Sequence, residues 1–293
     1  MTFRSGFVAV LGRPNVGKST LVNAFVGEKV AIVSDKPQTT RNQIRGIRST
    51  DDSQIVFTDT PGFHKPKTLL GKRLNDLVGA SVAGVDTIVQ VVDAHAGVGR
   101  GDAFVYARQV ESHAGTKVCA VNKVDRLAHH EVVPQLAAAG ALGAFDEIVP
   151  VSAATGTGVP ELIEVLLASL GEGPAFYPAG EATDQRLEDR VGELIREQAL
   201  RRTREEVPHS LAVVVEDLER EGELTRIFAT VVVERDSQKG IVIGKGGEML
   251  KQIGTAARGQ IEQLLGTKVF LDLRVKVLKD WQRDPKHLQR LGL

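Results

Sequence analysis

The sequence predicts a doubly wound α/β domain with a mainly parallel sheet, followed by a smaller α+β module, and three observations carry that expectation. The chain has 293 residues, more than the roughly 100 to 200 of a usual single domain. Up to about residue 170, short apolar runs alternate with stretches of helical period, the pattern of parallel strands covered by helices. The segment 171–180 then gathers glycine and proline without periodicity, and beyond it the order of elements changes.

In chain order, the apolar runs Phe7 to Leu11, Ile55 to Thr58, Thr87 to Val92, Val118 to Val121 and Ile148 to Val151 are predicted strands. The first helix is expected over Thr20 to Val26. The boundaries read as a first domain over 1–170, a linker over 171–182 and a second domain over 183–293. Thr183 or Asp184 is placed to cap a helix running from about 184 to 204. Strands at Leu211 to Glu216 and Ile227 to Glu234, a short segment, a helix from about 247 to 265 and a strand from Val269 to Val277 complete the module. Leu250, Ile253, Ala257, Ile261 and Leu264 keep one helical face, whereas Val269, Leu271, Leu273, Val275 and Val277 alternate strictly. Trp281, before the amphipathic Leu288 and Leu291, is expected to anchor the terminal helix rather than stack on a base.

Hydrophobic residues at 42% and charged residues at 25% exclude a disordered chain. Lys plus Arg equals Asp plus Glu at 37 each, so a surface for a polyanion must be local. Such a locality exists: residues 181–238 carry net charge −6 and residues 239–293 carry +6. The single cysteine, Cys119, excludes an internal disulfide framework, and its apolar run marks it as a buried strand residue rather than a nucleophile. Met1 to Gly6 lacks a signal-peptide pattern and no run of 18 apolar residues occurs, so a soluble cytoplasmic protein is expected. Peripheral contact with a membrane is compatible with this, because a folded surface patch leaves no trace in sequence.

Gly12, Arg13, Pro14, Asn15, Val16, Gly17, Lys18 and Ser19 fit G-x-x-x-x-G-K-[ST] directly after a predicted strand and before a predicted helix. The glycines let backbone N–H groups wrap phosphates at a helix N-terminus, Lys18 reaches the outer phosphates, and Ser19 offers a hydroxyl to Mg²⁺. Gly12, Asn15, Val16, Gly17, Lys18, Ser19 and Thr20 are therefore candidate nucleotide contacts. Asn122, Lys123 and Asp125 form N-K-x-D at the carboxyl end of another strand. The Asp125 carboxylate can accept from both N1–H and the exocyclic amine of guanine, which adenine cannot supply in that arrangement. Asn122 would brace the loops, and the Lys123 stem would cover the base. Ser152 and Ala153 follow the last strand, where a backbone N–H can meet guanine O6. Asp59 ends a strand and would hold Mg²⁺ through water, and the Gly62 N–H lies near a γ-phosphate. Thr40, preferred over Thr39, is the hydroxyl that would complete the metal shell. No residue is singled out as a catalytic group; Lys18, Thr40 and Gly62 are read as supporting the transition state and the switch.

In the second module, Gly244, Lys245, Gly246 and Gly247 form G-x-x-G, the loop that clamps nucleic-acid backbone in KH domains. A second match, Gly140 to Gly143, lacks a basic residue and a following amphipathic helix and reads as a helix end. Single-stranded RNA fits the first: small glycines admit the sugar-phosphate chain, Lys245 and Lys251 supply charge, and Ile241 and Ile243 form an apolar edge. Arg274 and Lys276, on the outward face of the last strand, are read as part of the same surface.

These stretches, in this order and spacing, resemble the translation-factor-like GTPases and specifically the Era family, and the resemblance runs nearly end to end. Its details include Gly12 to Ser19, Gln38 to Arg41 and Asp59 to His64, and the order α-β-β-α-α-β resembles the type II KH fold. The resemblance implies a P-loop GTPase domain that binds GTP and GDP and hydrolyses GTP with Mg²⁺, and an RNA-binding KH domain. It further implies a role in small ribosomal subunit assembly at the 3′ region of 16S ribosomal RNA. A monomer is expected, with a peripheral association on the cytoplasmic side of the inner membrane as an added expectation. Asn15 resembles the asparagine by which related GTPases hold K⁺ against the phosphates; the alternative is an asparagine that bonds only neighbouring backbone. Phe63 stands where Ras-like GTPases carry a water-orienting glutamine, as in the family at large, so intrinsic hydrolysis should be slow. His64 is a weaker candidate for positioning water. The rival reading is a guanine-nucleotide-dependent phosphotransferase with a C-terminal protein-interaction module, but no acceptor-binding constellation is seen.

Overall fold

The computed structural model describes residues 2–36, 38–62, 66 and 68–293. The chain divides into two units, the first running through Asp184 and the second starting at Gln185 and also taking in Ile32–Thr39 and residues 68–70. Phe63 and His64 lie outside the described residues.

In the first unit, strands β1 (Arg4–Leu11), β2 (Ile44–Ser49), β3 (Ser53–Asp59), β4 (Thr87–Asp93), β5 (Thr116–Asn122) and β6 (Glu147–Pro150) form one sheet in the order β2-β3-β1-β4-β5-β6. All pairs are parallel except β2 with β3. Helices α1 (Lys18–Val26), α2 (Leu69–Val82), α3 (Arg100–Val105), α4 (His129–Gly140) and α5 (Val159–Ser169) cover the sheet. Alternation along β1 explains the two-sided core. Val8 and Val10 pack into a cluster with Leu21 of α1 and Leu162 of α5, whereas Ala9 and Leu11 pack with Val78 of α2 and Val105 of α3. Phe25 and Phe57, both fully buried, stack with centroids 4.4 Å apart. Truncating either to alanine should cost about 3–5 kcal/mol.

The Gly/Pro-rich segment is ordered against the first unit. Gly173 N–H donates to Phe3 O at 3.1 Å, and Ser5 Oγ donates to Pro174 O at 2.7 Å. The Gln54 carboxamide accepts from the N–H groups of Phe176 and Tyr177 and donates to Tyr177 O. Irregular composition marks the absence of a helix or strand there, and side chains from β1 and β3 satisfy its backbone instead. Asp184 does not cap the next helix: it accepts from Arg45 at 2.9 Å and from the Tyr177 hydroxyl at 3.1 Å, and Arg186 is the residue preceding the helix.

The second unit holds α6 (Leu187–Arg202), β7 (Ala212–Glu221), β8 (Leu224–Val233), α7 (Asp236–Ile243), α8 (Glu248–Leu265), β9 (Lys268–Val277) and α9 (Pro285–Arg290). Its three-stranded sheet, β7-β8-β9, is antiparallel between the first pair and parallel between the second. Ile195 and Ala199 of α6 and Ile253, Ala257 and Ile261 of α8 pack on the face presented by Ile227, Ala229 and Val231 of β8. Trp281 is fully buried, and its Nε1–H donates to Ser210 O at 3.1 Å, which anchors the C-terminal segment. Within this unit Val33 N–H donates to Glu197 Oε1 at 3.0 Å, and the buried Arg196 guanidinium donates to Thr39 O.

Candidate functional site

In the first unit the carboxyl ends of β1, β3, β5 and β6 carry the residues singled out from sequence, at the edge where open α/β sheets bind ligands. The turn from β1 into α1 depends on backbone that most residues avoid. Gly12 has φ +152°, and a Cβ there would lie 2.5 Å from Val91 O; Gly17 has φ +99°, and a Cβ there would lie 2.3 Å from Asn122 Nδ2. Asn15 adopts φ +65°. Lys18, 6% exposed, donates from Nζ to Arg13 O at 3.0 Å. Burial lowers its pKa to about 8, against the opposing pull of Asp59.

Ser19, Thr40 and Asp59 converge. Ser19 Oγ donates to Asp59 Oδ2 at 2.7 Å, Thr40 Oγ1 donates to the same oxygen at 3.1 Å, and the two hydroxyls lie 3.0 Å apart. Thr39, by contrast, turns its hydroxyl to Lys36 O at 2.6 Å. Asp59 is fully buried, and its Oδ1 is a buried acceptor without a hydrogen-bond partner. Burial pushes its carboxyl upward in pKa, opposed by Lys18, Ser19, Thr40 and Thr60. A buried acceptor beside two hydroxyls is an incomplete oxygen shell, and it fits a small hard cation such as Mg²⁺ held by Ser19 and Thr40, with Asp59 acting through water. Bound there, such an ion would neutralise phosphate charge. Among the described residues no group of three His, Cys, Asp or Glu side chains forms a metal cluster. Gly62 packs on the phosphate loop, since a Cβ there would lie 2.8 Å from Pro14 Cα.

The base-side residues are tied to that loop. Asn122 donates from Nδ2 to Val16 O at 2.8 Å and accepts at Oδ1 from Ala153 N–H at 3.0 Å. Lys123, at φ +69°, donates to Asn15 O at 2.7 Å and to Asp93 Oδ2 at 2.5 Å. Asp125 is exposed in a short turn, Val124–Arg126. The backbone N–H groups at Ser152 and Ala153 both have protein partners, Thr157 O for Ser152 and Asn122 Oδ1 for Ala153. A base carbonyl reaches Ala153 N–H only by sharing it with Asn122, because the buried amide oxygen of Asn122 needs a donor of its own. Asp93 escaped the sequence reading; its signal was an acidic residue ending an apolar strand in the manner of Asp59. Cys119 is fully buried, and burial with the nearby Asp102 carboxylate pushes its thiol up to about 12, which leaves it unreactive.

In the second unit, Gly244 (φ +74°), Gly246 (φ +63°) and Gly247 (φ +82°) turn the chain from α7 into α8. A Cβ at Gly244 would lie 2.7 Å from Met249 Cβ, whereas Gly246 and Gly247 face open space. A groove of about 360 Å³ runs from Gly247 along α8, past Lys251, Thr255 and Arg258, with Leu271 and Leu273 of β9 as its other wall. Thr255 and Arg258 were not picked out from sequence, although their spacing from Lys251 puts all three on one helical face. Ile243 sits at the end of α7, and Ile241 is exposed on that helix. Arg274 and Lys276 do not join this groove. Leu271, Leu273 and Val275 pack toward the helices, so the residues alternating with them point to the other face, where Arg274 lies 3.4 Å from Asp272.

A nucleotide-binding domain with this loop, this base-side motif and this sheet, followed by a KH-type module, defines a P-loop GTPase with an appended nucleic-acid-binding domain. The family model described as a 50S ribosome-binding GTPase matches residues 7–123, and that for the KH domain matches residues 206–282. The chain is 57% identical to GTPase Era of Mycobacterium bovis (strain BCG / Pasteur 1173P2) over 296 aligned positions, covering 99% of each, and 56% identical to GTPase Era of Mycobacterium avium (strain 104) with the same coverage. Among solved structures it is similar to a variant of Aquifex aeolicus Era bound to GDP and AlF4⁻, with TM-score 0.96 and 36% identity over 99% of each chain. It is equally similar to Era in complex with MgGDPNP and nucleotides 1506–1542 of 16S ribosomal RNA, with TM-score 0.95 and 35% identity over 99% of each. The chain belongs to the Era family of GTPases.

Proposed function

We propose that this protein is a Mg²⁺-dependent GTP-hydrolysing switch that binds the 3′ region of 16S ribosomal RNA and acts in assembly of the small ribosomal subunit. The observation that carries the reading is the end-to-end likeness to Era in complex with MgGDPNP and nucleotides 1506–1542 of 16S ribosomal RNA. GTP is taken at Gly12 to Thr20, read by Asp125, and held with Mg²⁺ by Ser19, Thr40 and Asp59, with Gly62 near the γ-phosphate. RNA is taken along Ile243 to Gly247, Lys251 and the adjoining groove. The convergence of Thr40 with Ser19 and Asp59 favours switch chemistry over the rival phosphotransferase. Coupling of nucleotide state to the KH module rests on the likeness to the family alone. K⁺ is included as a further ligand at Asn15.

Among the described residues no helix is long and apolar enough to cross a membrane. The reading takes the protein as a cytoplasmic monomer, and a peripheral hold on the inner membrane is the part of it that gains no support. Crosslinking to cellular RNA, with reads mapped to ribosomal RNA, tests the central claim. Enrichment at the 3′ end of 16S ribosomal RNA is expected, and reads spread evenly or concentrated elsewhere would overturn it.

A further inference from the structure

We propose that Asp102 is a positioning residue of the nucleotide site, fixing the shape of the phosphate loop through Arg13. Asp102 lies in the first turn of α3, far along the chain from the loop, and is fully buried. Its Oδ1 accepts from Arg13 Nε at 2.7 Å, and its Oδ2 accepts from Gly99 N–H at 3.0 Å. Its backbone oxygen accepts from Gln90 Nε2 at 2.9 Å, and Gln90 is a fully buried residue of the central strand β4. Asp102 is therefore a fixed acceptor, held at both ends by groups that do not move with the loop.

Arg13 is the second residue of the phosphate loop, and its two ends have different partners. The guanidinium is drawn to Asp102 and to Gly97 O at 3.3 Å, while the backbone oxygen accepts from Lys18 Nζ. When phosphates draw Lys18 toward themselves, the side-chain tie is what keeps this turn of the loop in place. The loop needs such a tie because Gly12 and Asn15 hold backbone conformations that few residues adopt, so its shape must be imposed from outside. A carboxylate removed from water and given one guanidinium partner is strongly oriented, since leaving that buried carboxylate unpaired would be costly. The contact is also close: a Cβ on Gly101 would fall 2.4 Å from Arg13 Cδ, so the start of α3 is shaped to admit the arginine stem. Because the loop wraps the phosphates common to both nucleotides, the effect falls on GDP and GTP alike.

The inference rests on the loop at 12–19 being the phosphate site, and the experiment separates the two claims. Affinity of the full chain for fluorescent GDP with Mg²⁺ is measured for Asp102→Asn, Arg13→Ala, their double variant, Gly101→Ala and Lys18→Ala, together with thermal unfolding without nucleotide. Asp102→Asn and Arg13→Ala should each weaken GDP binding about tenfold or more, and the double variant should bind no more weakly than Arg13→Ala, because the two act as one unit. Gly101→Ala, which displaces the arginine and leaves both charges, should weaken binding as well and carries the test if Asp102→Asn does not fold. Parental affinity in folded Arg13→Ala or Gly101→Ala protein, or losses that add in the double variant, would overturn the inference. A drop in melting temperature with parental affinity would likewise reduce Asp102 to a structural residue. Should Lys18→Ala bind GDP as the parent does, the phosphate site itself is misassigned; should it alone be weak, only the role of Asp102 fails.

Discussion

Lys123 is clamped by Asp93: its Nζ lies 2.5 Å from Asp93 Oδ2 while also donating to Asn15 O in the phosphate loop at 2.7 Å. The strand end at Asp93, the base-side motif and the phosphate loop are thus joined through one ammonium. Asp93→Asn keeps the shape and removes the charge, so Lys123 loses its charged hydrogen-bond partner. GDP and GTP affinity should fall together, about tenfold, in equilibrium titration. Burial pushes the Asp93 carboxyl upward, but the Lys123 bond and the Ala96 and His95 N–H groups outweigh it and hold the pKa below 3.8. Its stabilisation is therefore complete above 3.8 and lost as pH falls through the lower folded value. The gap in melting temperature between parent and Asp93→Asn should be steady at neutral pH and close in acid below 3.8. A gap that persists there would mean that the charge is not its source.

Lys18 sets a pH dependence of opposite sign. Its pKa of about 8, against 10.5 for a free lysine, arises from burial, and bound phosphates favour the ammonium. Nucleotide affinity should be flat up to about pH 7 and then fall, with a limiting slope of about tenfold per unit, while Lys18→Ala shows no such fall. Without nucleotide the sign reverses: the folded state sheds its proton before the unfolded one, so stability gains between pH 8 and 10.5. Titrations with fluorescent GDP between pH 6 and 9 check the first part, and an equal fall in Lys18→Ala would show that Lys18 is not its source.

Base choice is tested at Asp125. Asp125→Asn replaces an acceptor-only carboxylate with an amide that suits xanthine better than guanine. Affinity should move from GTP toward XTP by more than tenfold in competition titrations. A variant that binds GTP as tightly as the parent would show that Asp125 does not read the base.

How much of this was legible in sequence depended on which physical rule each residue obeyed. Gly12 and Gly17 announce themselves because no other residue type tolerates their backbone and contacts. Runs such as Val118 to Val121 mark buried parallel strands. Strand β2 was missed because Arg45, Gly46 and Arg48 interrupt its apolar character at the edge of the sheet. Strands β7 and β8 were read short because Asp217, Glu219, Arg220 and Arg226 look like loop, although they lie on a long hairpin joined through Gly222. Asp93 and Asp102 could not be found by spacing, since their partners Lys123 and Arg13 are distant in sequence and meet them only through the fold. Arg274 and Lys276 failed to reach the groove for a two-residue reason: strand alternation turned them to the sheet's other face.

Potassium is expected to accelerate hydrolysis more than sodium at equal ionic strength, and Asn15→Ala should abolish the difference. Both salts screen alike, so a specific site is the only source of a difference. Equal phosphate-release rates in the two salts would leave Asn15 as a loop residue that adopts φ +65°.

The RNA clamp is tested by placing acidic groups between its outer glycines, with Lys245→Asp and Gly246→Asp in one variant. Gly246 faces open space at φ +63°, a left-handed conformation that aspartate tolerates better than most residues, so the fold should survive. Gly244, whose place beside Met249 admits no side chain, is left intact. A phosphate chain entering the groove past Lys251 and Arg258 would then meet two carboxylates. Each phosphate contact on single-stranded nucleic acid contributes roughly −0.7 to the slope of log affinity against log salt. Removing about one contact should therefore make the slope shallower by roughly 0.7, along with weaker binding to an RNA spanning the 3′ end of 16S ribosomal RNA. Arg258→Ala should weaken binding in the same direction, whereas Arg274→Ala, on the opposite face of β9, should leave it within about twofold. Fluorescence anisotropy across a salt series reads all three, with thermal unfolding as the control on folding and GTP affinity as the control on the nucleotide site. Parental RNA affinity and slope in the folded double variant would exclude the Gly244–Gly247 loop as the clamp, and a larger loss from Arg274→Ala than from Arg258→Ala would move the RNA to the other side of the sheet.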